Sequence, residues 1–97
     1  MPEHAVVDNT DLHRFETTIG DSVAFLDYAL HADRLVLIHT EVPDELEGHG
    51  VGSELVQFAI DFAEQHAYTV VPRCPFARGW LERHPDEAAR VTIRQPV

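Results

Sequence analysis

The chain of 97 residues contains no lysine, and its seven strongly basic residues are all arginines. Seventeen acidic residues give it a formal net charge of −10 at pH 7. Nucleic acids and anionic membranes are bound through basic surfaces, so this charge balance argues against both as partners. An acidic surface suits a cationic substrate such as an amine, although acidic side chains also serve simply to keep a protein soluble.

The chain also contains only one cysteine and no long apolar run. The single cysteine, Cys74, excludes an internal disulfide and is typical of proteins in reducing compartments. No apolar run approaches the roughly 20 residues of a membrane span, and the N-terminal sequence MPEHAVVDNTD lacks the features of a signal peptide. We therefore expect a soluble cytoplasmic protein, a monomer or a homodimer, with one domain over residues 1–97.

The first half of the chain has the composition of strands. Apolar and polar residues alternate over 12–19, and β-branched and aromatic residues follow over 22–30, which predicts two strands joined by a tight turn. Residues 35–42 open as a continuous apolar run, which predicts a central strand covered on both faces. Pro43 ends it, because proline cannot donate to a strand ladder.

From Val51 to His66 the apolar period changes to that of a helix, with polar residues on the opposite arc, and this predicts an amphipathic helix over 51–66. A short buried strand over 68–72, a helix over 76–84 and one more turn over 86–90 complete the pattern. The order β-β-β-α-β-α predicts a domain of the α/β (α+β) class with a small mixed sheet. It combines an antiparallel meander with one parallel βαβ unit.

Three glycines at alternate positions, Gly48, Gly50 and Gly52, stand between the third strand and the long helix. The first N–H groups of a helix have no internal partner and carry roughly half a positive charge. Glycine lets an anion approach them closely, so the pattern predicts an anion site. The spacing fits neither a P-loop, which needs lysine before Ser53, nor the dinucleotide fingerprint, which needs glycine at position 55. A flexible loop without a ligand is the alternative.

The segment EGHGVGSELV resembles the acetyl-CoA loop of the GCN5-related N-acetyltransferases, whose pattern is Gln/Arg-x-x-Gly-x-Gly/Ala. Together with HTEVP, VVPRCPF and RHPD, it is similar to the small single-domain branch of that superfamily over residues 12–86. The resemblance implies an acetyl-CoA-dependent enzyme that transfers an acetyl group to a small-molecule or peptide amine. The alternative is a catalytically weak module on the same fold that binds CoA or a partner protein.

The resemblance also implies a set of residues that bind acetyl-CoA or CoA. The strand end would pair its backbone with the pantetheine arm, and the backbone amides of the loop would hold the pyrophosphate. These positions are Glu41 and Val42 in the strand, and Glu47, Gly48, His49, Gly50, Val51, Gly52 and Ser53 in the loop. Two of the chain's residues depart from the family. Glu47 places a carboxylate at the Gln/Arg position, and Trp80 stands where many relatives have a tyrosine that can donate a proton.

Three side chains are candidates for catalysis. Cys74 follows strand 68–72 at its carboxyl end, where parallel sheets place their sites, and could relay a proton or accept the acetyl group. His39 and Glu41 lie on the same face of their strand, and either could act as the base, directly or through water. The structural alternatives are an inert buried thiol, a histidine bonded to backbone and a carboxylate paired with arginine.

A zinc site is the weaker possibility. His39-x-Glu41 followed later by Cys74 resembles the H-x-E … P-C-x-x-C pattern of zinc deaminases. Position 77 is alanine, so the second cysteine ligand is absent and the pattern does not make a closed site. We therefore predict no metal.

Overall fold

A computed structural model describes residues 4–96, so residues 1–3 and 97 of the predicted domain lie outside it. The strands in that range are Val7–Asn9 (β1), Arg14–Ile19 (β2), Ser22–His31 (β3), Arg34–Glu41 (β4) and Thr69–Pro72 (β5). The helices are Val51–His66 (α1), Pro75–Arg83 (α2) and Pro85–Ala88 (α3), with a 3-10 turn at Asp44–Leu46.

The strands form one mixed sheet in the order β1-β2-β3-β4-β5. β1 to β4 pair antiparallel, and β5 pairs parallel to β4 after the α1 crossover. The predicted fold class is therefore confirmed, with an additional strand at the start of the chain. That strand was missed because its three residues, VDN, carry no alternation. Its pairing with β2, together with a 2.6 Å hydrogen bond from the Tyr28 hydroxyl to Asp8, holds it to the sheet.

The strand predicted over 12–19 begins later, at Arg14. Leu12 is 55% exposed, and His13 has a φ of 53°, a left-handed conformation that a strand does not accommodate. The other boundaries differ from the predicted ones by one or two residues, and those of α1 are as predicted. The helical period of α1 is long and regular, whereas ends of short strands depend on which neighbour pairs with them.

The prediction that the third predicted strand, now β4, is covered on both faces is wrong. Leu35 and Leu37 are fully buried under the helices, but Ile38 is 46% exposed on the other side. The helices α1 and α2 pack against the sheet face that carries Leu35 and Leu37, and α3 packs against these two helices. The opposite face, which we call the open face, has no covering layer among residues 4–96. Ile38 has no partner in β3 because the register shifts there, which makes a bulge in β4.

The helix α1 lies across the sheet and forms the core with it. Its fully buried positions include Leu55, Ala59 and Ile60, and its aromatic residues Phe58 and Phe62 pack against the buried Phe15 of β2. A left-handed residue, Ala67, ends the helix and returns the chain to β5. Packing against this one helix therefore fixes where its N-terminus stands relative to the sheet.

The segment after α3 returns to the sheet beside β5. The Val70 amide donates to the Thr92 carbonyl at 2.8 Å, and the Arg94 amide donates to the Val70 carbonyl at 2.9 Å. Ile93 thus bridges Val70 in parallel and covers the outer edge of β5. None of the helices described is long and apolar enough to cross a membrane.

Arg90 ties the end of the chain to α1. Its guanidinium lies 2.8 Å from Asp61, 2.7 Å from Glu64 and 2.5 Å from Glu87. Hydrogen bonding to Arg90 lowers the pKa of Glu64, and hydrogen bonds from Gln57 and then Arg90 lower the pKa of Glu87. Carboxyls with a lowered pKa stabilise the fold above their ordinary pKa, and this contribution is lost as they are protonated at lower pH.

We predict that Arg90→Gln lowers the melting temperature by a few degrees at pH 7. Because the ordinary carboxyl value is 4.5, the difference between variant and parent should shrink as the pH falls below it. Thermal unfolding followed by circular dichroism between pH 7 and pH 3 measures both effects. Arg78→Gln, on the exposed side of α2, is the control and should follow the parent. A constant difference between Arg90→Gln and the parent at all pH values would contradict the ion-pair explanation.

Candidate active site

The sheet opens between β4 and β5. Their parallel pairing runs from Arg34 opposite Thr69 to Leu37 opposite Pro72. At that point the Leu37 carbonyl accepts from both the Arg73 and Cys74 amides, at 2.9 Å each. Beyond it β5 turns away into α2, while β4 continues to Glu41. The end of β4 therefore presents one backbone edge to which residues 4–96 supply no strand partner.

The glycine loop lies next to this free edge, and its glycines have different physical roles. Gly48 has a φ of 83° and Gly50 a φ of 74°, both left-handed, and open space surrounds the position of a Cβ at each. Gly52 lies inside α1, where a Cβ would stand only 2.7 Å from the ring of Phe76. Two glycines thus shape the loop, and the third lets α2 approach the start of α1.

The N-terminus of α1 keeps its donors available. Gly50 is its N-cap and has no side chain to cap the first turn. The first intrahelical bond is donated by the Glu54 amide to the Gly50 carbonyl at 3.1 Å. The amides from Gly50 to Ser53 precede that bond and point out of the helix. Such a group of donors at the positive end of a helix dipole is suited to an anion.

A pocket of about 660 Å³ joins these features. The strand end and the glycine loop form two of its walls, and α2 forms the third. It is lined by His39, Thr40, Glu41, Val42, Leu46, Glu47, Gly48, Gly50, Val51, Gly52, Ser53, Phe76 and Arg83. All of the residues predicted to bind the cofactor except His49 therefore line one pocket.

Charges of opposite sign meet in this pocket. Glu47 is exposed beside the loop, at the position where the family pattern has a glutamine or arginine. Arg83, in the last turn of α2, folds back over Gly79, with Nη1 3.1 Å from the position of a Gly79 Cβ. Within residues 4–96 Arg83 makes no ion pair. The pocket thus has a guanidinium available for an anion, which compensates for Glu47.

Cys74 is buried behind the pocket, with 2% of its surface exposed. Its thiol and the hydroxyl of Thr40 share a hydrogen bond of 3.1 Å. Thr40 lines the pocket and Cys74 does not, so Thr40 is the member of the pair that a ligand would meet first. Cys74 lies just after β5, as predicted. Its hydrogen bond with Thr40 was not predicted.

His39 and Glu41 lie on the other side of β4 from Thr40. His39 pairs with Asp27 and Glu41 with Phe25, so both side chains share the open face of the sheet. The His39 ring lies 6.3 Å from the ring of Phe25, over which the Arg14 guanidinium also stacks. The structure therefore brings His39 and Glu41 together, as predicted, and separates them from Cys74 by the thickness of the strand.

Trp80 has a structural role in this arrangement. It is 2% exposed, its indole N–H donates to the Ser53 hydroxyl at 2.8 Å, and its ring stacks on His84 at 4.1 Å. The N–H thereby ties α2 to the first turn of α1. Neither tyrosine lines the pocket, since Tyr28 bonds to Asp8 and Tyr68 stacks on His66. A tyrosine proton donor is thus absent from the lining of this site.

Sequence reasoning missed Thr40, Phe76 and Arg83. Thr40 stands between His39 and Glu41, so strand alternation alone places its side chain on the opposite face. Phe76 and Arg83 are seven positions apart in α2 and share a side of the helix, which was a detectable signal. What the sequence did not show is that this side turns towards the glycine loop. Among residues 4–96 no group of three His, Cys, Asp or Glu side chains is arranged to hold a metal ion.

Comparisons with known proteins place this fold in a family. Residues 14–91 match the sequence model described as GCN5-related N-acetyl-transferase. Since this match covers most of the chain, the protein belongs to the GCN5-related N-acetyltransferases, and the predicted resemblance is confirmed. The fold is also similar to the NMR solution structure of a GCN5-like protein from Staphylococcus aureus, with a TM-score of 0.73. The two share 21% identity over 100% of this chain and 94% of that chain, so the likeness concerns the fold.

Proposed function

We propose that the protein transfers an acetyl group from acetyl-CoA to an amine, with the cofactor in the glycine-loop pocket. Membership of the family supports acyl transfer as the type of reaction. The observation that carries the proposal is the meeting, in one pocket, of the free edge of β4 with the unbonded amides at the start of α1. These are the two features needed to bind an amide-containing arm that ends in phosphates.

The residues present fit CoA. The amides of Gly50 to Ser53 would hold the pyrophosphate, and the left-handed Gly48 and Gly50 leave the approach clear of side chains. Arg83 would add a cation to these neutral donors. The backbone of Glu41 and Val42 would pair with the amides of the pantetheine arm along the free edge of β4.

Bound acetyl-CoA would supply an acetyl group activated as a thioester. On the pocket side of β4, the Thr40 hydroxyl would donate a proton to the departing sulfur and recover one from the Cys74 thiol, with which it shares a hydrogen bond. Cys74 would regain its proton from solvent once the thiol product has left. On the open face, His39 or Glu41 would accept the proton that the amine must lose when it is acetylated. The split between β4 and β5 connects the two sides.

Two observations favour the alternative, a CoA-binding module with little catalysis. Cys74 is almost fully buried, and neither tyrosine lines the pocket, so proton transfer depends on the Thr40–Cys74 pair. If that pair is only a packing contact, the protein would bind CoA and turn it over slowly.

Calorimetric titration with CoA, followed by assay of thiol release from acetyl-CoA with a panel of amines, tests the proposal. We expect binding, and thiol release that depends on the amine. Binding without release from any amine would favour the CoA-binding module. No heat of binding with either CoA or acetyl-CoA would contradict the placement of the cofactor in the glycine-loop pocket.

A further inference from the structure

The open face of the sheet carries a cleft of about 430 Å³ that the cofactor pocket does not use. Arg34, Arg73 and Arg94 line it around a floor formed by Val36, Ile38 and Val71. We call this feature the arginine cleft. It lies on β4 and β5 just before the point where the two strands separate.

The concentration of positive charge in the arginine cleft is unusual for this chain. Acidic residues outnumber arginines seventeen to seven, yet three of the seven arginines meet here. No aspartate or glutamate lines the cleft, and none of its arginines makes an ion pair within residues 4–96. Like charges repel one another unless an anion lies between them. The arrangement therefore favours a ligand that carries negative charge.

The segment after α3 completes this cleft. The backbone hydrogen bonds that join Thr92 and Arg94 to Val70 hold the last segment beside β5. Ile93 then turns towards the core, and Arg94 faces the cleft. The third arginine is thus positioned by the sheet ladder and not by a free tail.

Further along β4, the charge on the open face changes from positive to negative. His39 lies opposite Asp27, and Glu41 follows on the same face. A ligand with a cationic end and an anionic body would meet carboxylates at one end of β4 and arginines at the other. Arg34 and His39 are separated by about 15 Å at the usual rise of a strand. A single amino acid cannot span that distance, whereas an extended peptide of four or five residues can.

We propose that the arginine cleft binds the acidic part of an extended peptide whose amine lies beside His39 and Glu41. The apolar floor, with Ile38 46% exposed, would take apolar side chains that alternate with the acidic ones. That this peptide is the acetyl acceptor rests on the proposed function. A nucleic acid or an anionic membrane fits less well, because the net charge of −10 opposes an extended polyanion, whereas a short peptide meets only the cleft.

The test uses a short peptide of alternating valine and glutamate with a free N-terminal amine, and its counterpart with glutamine in place of glutamate. Fluorescence anisotropy measures binding to the full chain. We expect the glutamate peptide to bind about tenfold more tightly. Arg34→Gln, Arg73→Gln and Arg94→Gln should each reduce that preference by about 2- to 5-fold, and the triple variant should remove it. Arg78→Gln, outside the cleft, is the matched control and should leave it unchanged.

Equal binding of the two peptides to the parent, or a preference that survives in the triple variant, would overturn the proposal. Binding of phosphatidylserine vesicles in place of the peptide would overturn it in favour of a membrane. Thermal unfolding checks that the variants fold. If the triple variant does not fold, the three single variants still test the cleft.

Mass spectrometry with acetyl-CoA present then tests the acceptor role. Acetylation of the glutamate peptide in preference to the glutamine peptide supports it. Tight binding of the peptide without acetylation, by a protein that acetylates other amines, would overturn the acceptor role. Failure of the proposed function itself is distinguished from this result, because it would show as the absence of CoA binding in the calorimetric titration or as the absence of thiol release with every amine.

Discussion

Replacing Thr40 by valine should lower kcat for acetyl transfer about 100-fold, because it removes the hydroxyl that faces the cofactor pocket. Valine has nearly the shape of threonine, so the half-buried site should stay packed. Cys74→Ala should lower kcat by a similar factor, because the 3.1 Å hydrogen bond makes the two side chains one path for a proton. Stopped assays of thiol release at saturating acetyl-CoA measure both effects.

The double variant distinguishes a proton path from two separate packing defects. If Thr40 and Cys74 act as a unit, the double variant should be no slower than either single variant. The dissociation constant for CoA should change little in all three, which calorimetry checks. Multiplied losses in the double variant would indicate two separate packing defects. Full kcat in Thr40→Val would assign the proton to water instead.

Reversing the charge of Arg83 should weaken CoA binding about 30-fold at low salt. Two unit charges about 7 Å apart interact by about 1 kcal/mol at an effective dielectric near 40, and Arg83→Glu changes the charge by two units. Glu47→Arg makes the opposite change on the other side of the loop and should tighten binding. Calorimetric titration measures both, and added salt should reduce both effects.

Arg78→Glu is the matched control for Arg83→Glu, since it lies in the same helix and changes the net charge equally, but does not line the pocket. A comparable loss in Arg78→Glu would show that only net charge matters. If Arg83→Glu binds as the parent does, Arg83 does not contact the phosphates. Titration with dephospho-CoA, which lacks the 3′-phosphate, tells which phosphate Arg83 contacts. If Arg83 contacts only the 3′-phosphate, Arg83→Glu and the parent should bind this analogue with the same affinity.

The sequence predicted the parts of the fold that repeat regularly. The helix over 51–66 has the same bounds in the structure because its apolar period extends over four turns. The strand β1 has three residues and no alternation, so only its pairing with β2 defines it. The error at β4 has the same origin. A continuous apolar run does not show which of its residues are buried. The bulge at Ile38 and the packing of the helices on one face of the sheet decide that.

The glycine loop shows how far the candidate site can be predicted from the sequence. Its residues were predicted to act together, and all but His49 line one pocket, because the strand, the loop and the helix start are consecutive in the chain. The glycine pattern predicts space for a phosphate at Gly52, whereas in the structure Phe76, a residue 24 positions away, occupies that space. Cys74 was predicted as a candidate by its place after β5, whereas its contact with Thr40 joins two distant segments.

The sequence by itself determined the fold class, the long helix, the glycine loop and the resemblance to the family, since each depends on residues close together in the chain. Only the tertiary structure decided that Arg83 and Phe76 face the loop and that Thr40 meets Cys74. It also decided that His39 and Glu41 lie on the opposite side of β4, and that three arginines form one cleft. These contacts depend on how α2 and the chain end pack against the sheet, and packing orientation is a property of the assembled layers that no local pattern encodes.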